Sequence, residues 1–90
     1  MIRSKATPEF WPLYWALPPQ VRARARQAYR LWIDNPKHPG LRFKRVHAAE
    51  PMYSVRIGMG YRALCMLEDG VAKWFWIGTH EEYDRLLKLS

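Results

Sequence analysis

The sequence predicts an α+β fold in which two N-terminal helices pack on a four-stranded antiparallel sheet and a short C-terminal helix follows. Apolar residues recur with a helical period in the first third of the chain and alternate as in strands after residue 40. The breaker-rich segment 35–40, Asn-Pro-Lys-His-Pro-Gly, separates the two halves. No linker or repeat interrupts the sequence, so we expect residues 1–90 to form a single domain.

Two helices are predicted before residue 35. The first has one apolar face with i, i+3, i+4 and i+7 spacing and ends at Pro18. That face consists of Phe10, Leu13, Tyr14 and Leu17. The second helix runs from Pro19 to about Asp34. Its apolar stripe consists of Val21, Ala25, Ala28 and Trp32, and a basic stripe beside it consists of Arg22, Arg26 and Arg30.

The sheet is predicted from four strand-length runs that are rich in β-branched and aromatic residues. These runs are Leu41–Val46, Met52–Ile57, Tyr61–Leu67 and Val71–Ile77. Short loops between them predict antiparallel hairpins. Residues 2–6 are a candidate for a further short strand. After the last run, Thr79 and Glu82 have the spacing of a capping box, which predicts the start of the C-terminal helix.

The net charge of +7 is concentrated in residues 1–62, which hold twelve of the fifteen basic residues but three of the eight acidic ones. A small basic domain is attracted to polyanions, and nucleic acid is the most common polyanion in a cytosol. A well-solvated basic surface is the alternative. The single cysteine, Cys65, excludes an internal disulfide and a cysteine-based zinc site. Because no apolar run approaches the ~20 residues of a membrane span, and the first residues lack a signal-like stretch, we expect a cytoplasmic protein without a membrane partner.

The central hairpin places two arginines opposite each other. Its buried face must carry the alternate apolar residues of both strands, because the other parity would bury arginine. A three-residue loop, residues 58–60, satisfies this parity by pairing Ile57 with Tyr61. Arg56 then lies directly across from Arg62 on the other side of the sheet, which we call the arginine face. Two like charges at this separation destabilise a sheet. An anion that bridges them, with phosphate matching two guanidinium groups, is our hypothesis, and two side chains that extend apart into water are the alternative.

Three further basic residues are candidates for RNA binding. Arg42 and Lys44 alternate along the first predicted strand and would extend the positive charge across the arginine face, or form a solvated strand face. The position of Lys73 depends on the turn at residues 69–70. A two-residue turn would place Lys73 on the arginine face, whereas a three-residue turn with a bulge would place Trp74 and Trp76 there as stacking platforms for bases.

His80 is the candidate proton-transfer residue. It lies at the start of the last helix, whose positive N-terminus favours a neutral imidazole that can accept a proton. Tyr83 and Asp84, three and four residues further on, lie on the same side of the helix. The alternative is a surface histidine and a core tyrosine. The three histidines have no metal-ligand spacing and no phosphate-binding glycine loop is present, so we expect neither a metal nor a cofactor.

Several motifs in this order resemble the RelE/ParE superfamily of bacterial type II toxins. They are Tyr53-Ser54-Val55-Arg56-Ile57, Gly60-Tyr61-Arg62 and Ile77-Gly78-Thr79-His80-Glu81-Glu82-Tyr83. The resemblance covers nearly the whole chain. It implies a helix-plus-antiparallel-sheet toxin that a cognate antitoxin protein neutralises by wrapping around it. RelE-like members cleave mRNA in the ribosomal A site without a metal.

The resemblance also implies roles for individual residues. Arg56 and Arg62 match the basic strand positions that stabilise the scissile phosphate, and His80 and Tyr83 lie in the terminal segment that assists proton transfer. Two departures stand out, because RelE has lysine at the position of Ser54 and arginine at that of His80. ParE-like members use the same fold to inhibit DNA gyrase and lack the nuclease residues. A ribosome-dependent endoribonuclease is therefore our preferred reading. A gyrase inhibitor and a degenerate, purely binding member are the alternatives.

Overall fold

The computed structural model describes residues 2–89, and the α+β class predicted from the sequence is confirmed. The helices are α1 (Phe10–Trp15), α2 (Pro19–Asp34) and α3 (His80–Leu89). The strands are β1 (Arg3–Ala6), β2 (Lys44–Arg45), β3 (Met52–Ile57), β4 (Tyr61–Glu68) and β5 (Val71–Thr79). A 3₁₀ turn at Pro39–Leu41 precedes β2. None of the helices in the described range is long and apolar enough to cross a membrane.

The strands form one mixed sheet in the order β1-β5-β4-β3-β2. Strands β2 to β5 pair antiparallel as predicted, whereas β1 pairs with β5 in parallel and gives the sheet a fifth strand. Backbone hydrogen bonds of 2.9 Å join Arg3 N to Gly70 O and Thr7 N to Trp74 O. The Trp74 indole also donates to Ser4 Oγ at 3.0 Å. These contacts with β5 fix β1, which is too short to be predicted securely from alternation alone.

The first predicted strand is much shorter than expected, since only Lys44–Arg45 of the run Leu41–Val46 forms β2. The residues before it form the 3₁₀ turn, which His38 caps by accepting the Gly40 N–H at Nδ1 over 3.2 Å. Arg42 ends this turn with a left-handed φ of 47°. The prediction of Arg42 as a strand residue is therefore wrong, because local capping of the chain prevails over the strand propensity of the run.

The turn between β4 and β5 is of the two-residue type. Asp69 and Gly70 have φ of 53° and 74°, as a type I′ turn requires, and Glu68 pairs with Val71 on either side of them. Lys73 consequently lies on the arginine face.

A β-bulge at Phe75 then reverses the alternation of β5. Trp74 pairs with Cys65 and Trp76 pairs with Leu64, so Phe75 has no partner on β4. Trp74 faces the core and is buried, whereas Trp76 lies half-buried on the arginine face. The structure thus has the two-residue turn and the Lys73 position of the first alternative, and it places Trp76 on the arginine face as in the second.

The main core lies on the opposite side of the sheet, beneath α1 and α2. Trp32 of α2 is 1% exposed, and its ring centroid lies 5.2 Å from that of Trp74 and 5.6 Å from that of Phe43, both edge to face. Cys65 is fully buried in this core, and its burial raises the pKa of the thiol to about 12. Cys65 therefore serves in packing and is unsuited to act as a nucleophile.

Candidate active site

Helix α3 lies against the arginine face and builds a second, small core there. Tyr83 is 6% exposed, and its hydroxyl donates to Ser54 Oγ on β3 at 3.1 Å. Ser54 and Leu64 are each 2% exposed on the same face. The arginines therefore lie beside a packed helix, because this core fixes α3 on the sheet.

The capping box at the start of α3 is confirmed. The Glu82 N–H donates to Thr79 Oγ1 at 3.2 Å, and Glu82 Oε1 accepts the Thr79 N–H at 3.0 Å. The Thr79 hydroxyl also donates to Glu82 Oε1 at 2.9 Å, and the two bonds from the Thr79 N–H and hydroxyl hold the pKa of the Glu82 carboxyl below its ordinary value. The His80 N–H in turn donates to Gly60 O at 2.8 Å, which joins the start of α3 to the β3–β4 loop. The backbone of His80 is thus fixed next to the β3–β4 hairpin, which carries Arg56 and Arg62.

Arg56 and Arg62 occupy directly opposite positions on β3 and β4, so the predicted register is confirmed. Arg56 Nε donates to Gly58 O at 3.0 Å, and Arg62 Nη1 donates to Tyr61 O at 2.9 Å. Both bonds go to backbone carbonyls close to the same loop. A guanidinium has five N–H donors, so each side chain retains several for a bound anion.

Tyr83 brings the two kinds of candidate residue together. The Arg62 guanidinium carbon lies 5.8 Å from the centroid of the Tyr83 ring, within the range of a cation–π contact. The His80 ring stacks on the same tyrosine at 5.9 Å with an interplanar angle of 24°. The phenol ring therefore contacts both an imidazole and a guanidinium.

The charges of this site are mostly positive. Partial burial lowers the pKa of Arg62 from its ordinary value, and the charges of Arg56 and Arg42 act in the same direction, while Tyr83 and Asp84 raise it. The guanidinium stays charged all the same, since arginine is not deprotonated in proteins. Such a cluster is stabilised by an added anion.

Asp84 is the acidic neighbour of the candidate base. Its Oδ2 lies 3.6 Å from His80 Nδ1, and both side chains are about half exposed. This separation is longer than a hydrogen bond but close enough for a charge contact. The carboxylate is therefore the acidic side chain that directly faces the His80 ring.

The three residues predicted to bind RNA lie at different distances from this site. Arg42 is close enough for its charge to act on Arg62, although it leaves the strand pattern. Lys44 pairs with Ser54 and so lies on the arginine face at the β2 edge. Lys73 pairs with Met66, which follows Arg62 by four residues on β4, or roughly 13 Å along the strand. The structure therefore brings Arg42 to the site, places Lys44 at its edge and leaves Lys73 apart from it.

The contribution of Ser54 to this face was missed in the sequence, because its bond to Tyr83 joins residues 29 apart and has no local signal. Trp76 lies on this face as one of the two alternatives for the β4–β5 turn predicted. Its ring lies on Gly78, where a Cβ would be 2.6 Å from it. Within residues 2–89, no group of three or more His, Cys, Asp or Glu side chains could hold a metal ion.

Comparison with known proteins places these features in a family. The model of the ParE-like toxin domain matches residues 19–85, while no curated protein matches the chain. The isolated Escherichia coli RelE toxin superposes with a TM-score of 0.68 at 15% identity, covering 99% of this chain and 98% of that one. E. coli YafQ gives a TM-score of 0.70 at 12% identity, covering 92% of this chain and 98% of that one. The RelE of a RelE–RelB complex from Pyrococcus horikoshii OT3 gives 0.68 at 17% identity, covering 87% and 93%.

These structural matches show a shared fold, and the family match extends from the first residue of α2 into α3. It includes both central strands with their opposed arginines and the capped start of the last helix. The chain belongs to the ParE-like toxin family of the RelE/ParE superfamily.

Proposed function

We propose that the protein is the toxin of a type II toxin–antitoxin system and that it acts in the cytoplasm as a metal-independent endoribonuclease on ribosome-bound mRNA. The observation that carries this proposal is the direct opposition of Arg56 and Arg62 beside His80 and Tyr83 on one side of the sheet. This arrangement supports the proposal because it would supply positive charge and a proton acceptor on one face of the sheet. The reaction that needs both is cleavage of a phosphodiester by its own ribose hydroxyl.

In that reaction the ribose 2′-oxygen attacks the adjacent phosphorus and the bond from phosphorus to the 5′-oxygen breaks. His80 would accept the proton of the 2′-hydroxyl, and Asp84 at 3.6 Å would stabilise the resulting imidazolium. Arg56 and Arg62 would stabilise the negative charge that develops on the phosphoryl oxygens. A proton from solvent water would reach the departing 5′-oxygen, leaving a 2′,3′-cyclic phosphate and a 5′-hydroxyl, and the His80 imidazolium would return its proton to the solvent.

Tyr83 is best assigned as a positioning residue. Its hydroxyl is buried and donates to Ser54, so it is not directed at a substrate in solvent. Its ring contacts both His80 and Arg62. We therefore assign proton transfer to the histidine and orientation to the tyrosine.

A cognate antitoxin is the proposed protein partner. RelE–RelB complexes among the similar structures support it. On the side of the sheet away from the arginines, an open apolar groove of about 610 Å³ lies between α1, α2 and the sheet. Trp11 and Trp15 at its rim are 47% and 63% exposed, and exposed apolar patches of this kind are typical of protein interaction surfaces.

Inhibition of DNA gyrase is the second candidate function. Two observations favour it: the family match is to a ParE-like domain, and Ser54 replaces a basic residue of the RelE pattern with a buried hydroxyl. A gyrase inhibitor would arrest growth without cutting RNA. The two functions are therefore distinguished by whether transcripts are cleaved.

The test is inducible expression in a bacterium, with primer extension on translated transcripts. We expect growth arrest and cuts within coding regions for the wild-type chain. The matched variant Arg62→Ala should lower the cleavage rate by about 10²–10³, because it removes a contact to the developing charge. Its melting temperature should fall only slightly, since the variant loses the contact with the Tyr83 ring but also relieves the repulsion between Arg62 and Arg56.

Growth arrest with intact transcripts and a loss of DNA supercoiling would replace the nuclease with the gyrase inhibitor. A large drop in the melting temperature of the Arg62 variant would make that residue structural and remove it from the site.

A further inference from the structure

Two arginines from distant parts of the chain meet at the β3–β4 turn. Arg56 of β3 donates to Gly58 O at 3.0 Å. Arg24 of α2 lies close to the same glycine, since a Cβ on Gly58 would lie 3.4 Å from Arg24 Nη1. The turn therefore connects the arginine face with α2, which packs on the opposite side of the sheet.

A shallow groove continues from this turn between α2 and the 3₁₀ turn. Its volume is about 840 Å³, and its charged lining consists of Arg24, Arg30, Arg56 and Asp34. Arg24, Gln27 and Arg30 follow one another at intervals of three residues, and all three line the groove from α2. Three arginines against one carboxylate make this groove a continuation of the positive charge of the arginine face.

The arginines of α2 fall into two groups by their contacts. Arg22 donates to the carbonyl of Leu17 and lies over the Trp15 ring, and Arg26 donates to Tyr14 Oη at 2.8 Å. These two bind α2 to α1 and the segment that follows it. By contrast, within the described residues neither Arg24 nor Arg30 forms a hydrogen bond or an ion pair. Their guanidinium groups are exposed and free to bind an external anion.

We propose that the sugar–phosphate backbone of RNA passes from the arginine face over the β3–β4 turn into this groove, where Arg24 and Arg30 bind phosphates. The inference rests on the proposed ribonuclease function and extends its substrate path beyond the reacting phosphate. Guanidinium groups match phosphate oxygens in geometry as well as charge. The groove is continuous with the candidate site through Arg56, which favours the same polyanion on both.

The test compares two double variants that each remove two positive charges. Arg24→Gln/Arg30→Gln changes the groove, whereas Arg3→Gln/Lys5→Gln changes β1 at the far edge of the sheet. The first probe is a fluorescent single-stranded RNA with 2′-O-methyl groups throughout, which the enzyme cannot cleave. The second is the small ribosomal subunit without mRNA. Affinity for each is measured over a range of salt concentrations, with thermal unfolding of every variant as the folding control.

For the groove variant we expect about tenfold weaker binding near physiological salt. The slope of log K against log salt should fall in magnitude by about 1.4, since each phosphate contact to single-stranded RNA contributes about 0.7. The β1 variant should change both values much less. A loss confined to the oligonucleotide identifies the groove as an mRNA path, a loss confined to the subunit identifies ribosomal RNA as its ligand, and either outcome supports the proposal.

Equal behaviour of the two double variants on both probes would overturn the groove assignment. The assignment would also be overturned if binding of poly-glutamate depended on Arg24 and Arg30 while binding of RNA did not, because the groove would then serve an acidic protein. These results leave the proposed nuclease untouched, since they concern binding alone. If the wild-type chain binds RNA through the groove but cuts no transcript, the nuclease proposal fails and the groove assignment stands.

Discussion

The two faces of the sheet differ in their side chains, although the same strands contribute to both: one face carries the main core and the other carries the opposed arginines. On the face beneath α1 and α2, apolar residues of the helices and of the strands pack around Trp32 and Trp74. On the other face, α3 covers a small core around Tyr83, and the neighbouring positions carry the opposed arginines. Because side chains alternate along a strand, residues one apart on β3 and β4 belong to different faces. Substitutions on the first face should therefore change stability, and those at the arginines and His80 should change activity.

The largest effect on the arginine face is expected from His80→Ala. Loss of a proton-transfer group should lower the single-turnover cleavage rate by about 10²–10⁴ with little change in ribosome affinity at fixed salt. Asp84→Asn serves as the graded control and should cause a smaller loss, because the imidazole is retained. Unchanged cleavage would make His80 a surface residue, and weaker binding in proportion to the lost cleavage would make it an RNA contact.

The largest effect on the core face is expected from Trp32→Ala, which should lower the free energy of unfolding by about 3–5 kcal/mol. Urea denaturation measures this loss. Trp32→Phe is the matched control and should cost much less, since the Trp32 indole N–H has no hydrogen-bond partner within residues 2–89. Cleavage per folded molecule should stay the same in the phenylalanine variant. A selective loss of cleavage there would show that the two faces are coupled.

Tyr83 contributes both to the packing of α3 and to the contacts of His80 and Arg62, and Tyr83→Phe tests the two contributions separately. It removes the bond to Ser54 and should lower stability by about 0.5–1.5 kcal/mol while the ring keeps its contacts with His80 and Arg62. Cleavage should change little, because orientation depends on the ring. A double-mutant cycle with Ser54→Ala measures the hydrogen bond. A loss of cleavage as large as that of the histidine variant would assign proton donation to the hydroxyl.

The smallest effect concerns the capping box and depends on pH. The folded-state pKa of Glu82 lies below its ordinary value of 4.5, so the carboxylate stabilises the fold above that pH. This contribution is lost as the pH falls through the lowered value, because the folded state must then take up a proton that the unfolded state already holds. Glu82→Gln should remove this acid-side dependence and cost about 0.3–1 kcal/mol at neutral pH. Glu81→Gln, in the same helical turn, is the control, and equal curves for both variants would contradict the capping role.

What the sequence could predict depends on the range of the interaction involved. The Arg56–Arg62 register followed from alternation within one hairpin, and the Thr79–Glu82 box from a spacing of three residues. These are local patterns, so one stretch of sequence contains all the information. The roles of Arg56, Arg62, His80 and Tyr83 in catalysis remain predictions.

The features that escaped prediction depend on distant contacts or on competing local chemistry. Pairing of β1 with β5 joins the two ends of the chain, and the Ser54–Tyr83 bond joins β3 to α3. The approach of Arg24 to Gly58 likewise depends on how α2 packs on the sheet. Arg42 left its expected strand because a histidine cap turned the chain just before it. No pattern within a single element contains such information.

The unpaired Phe75 divides β5 into two segments with opposite phase. The first segment is tied to the N-terminal strand by Trp74, and the second leads directly into the helix that carries His80. Deletion of this one residue would restore strict alternation and leave every pair between β4 and β5 in place. Both segments would keep their present faces, because Trp74 and Trp76 would become consecutive residues opposite Cys65 and Leu64. The extra residue therefore sets the local bend and twist of β5 between the edge strand and α3, and its removal would change the angle at which β5 leads into that helix.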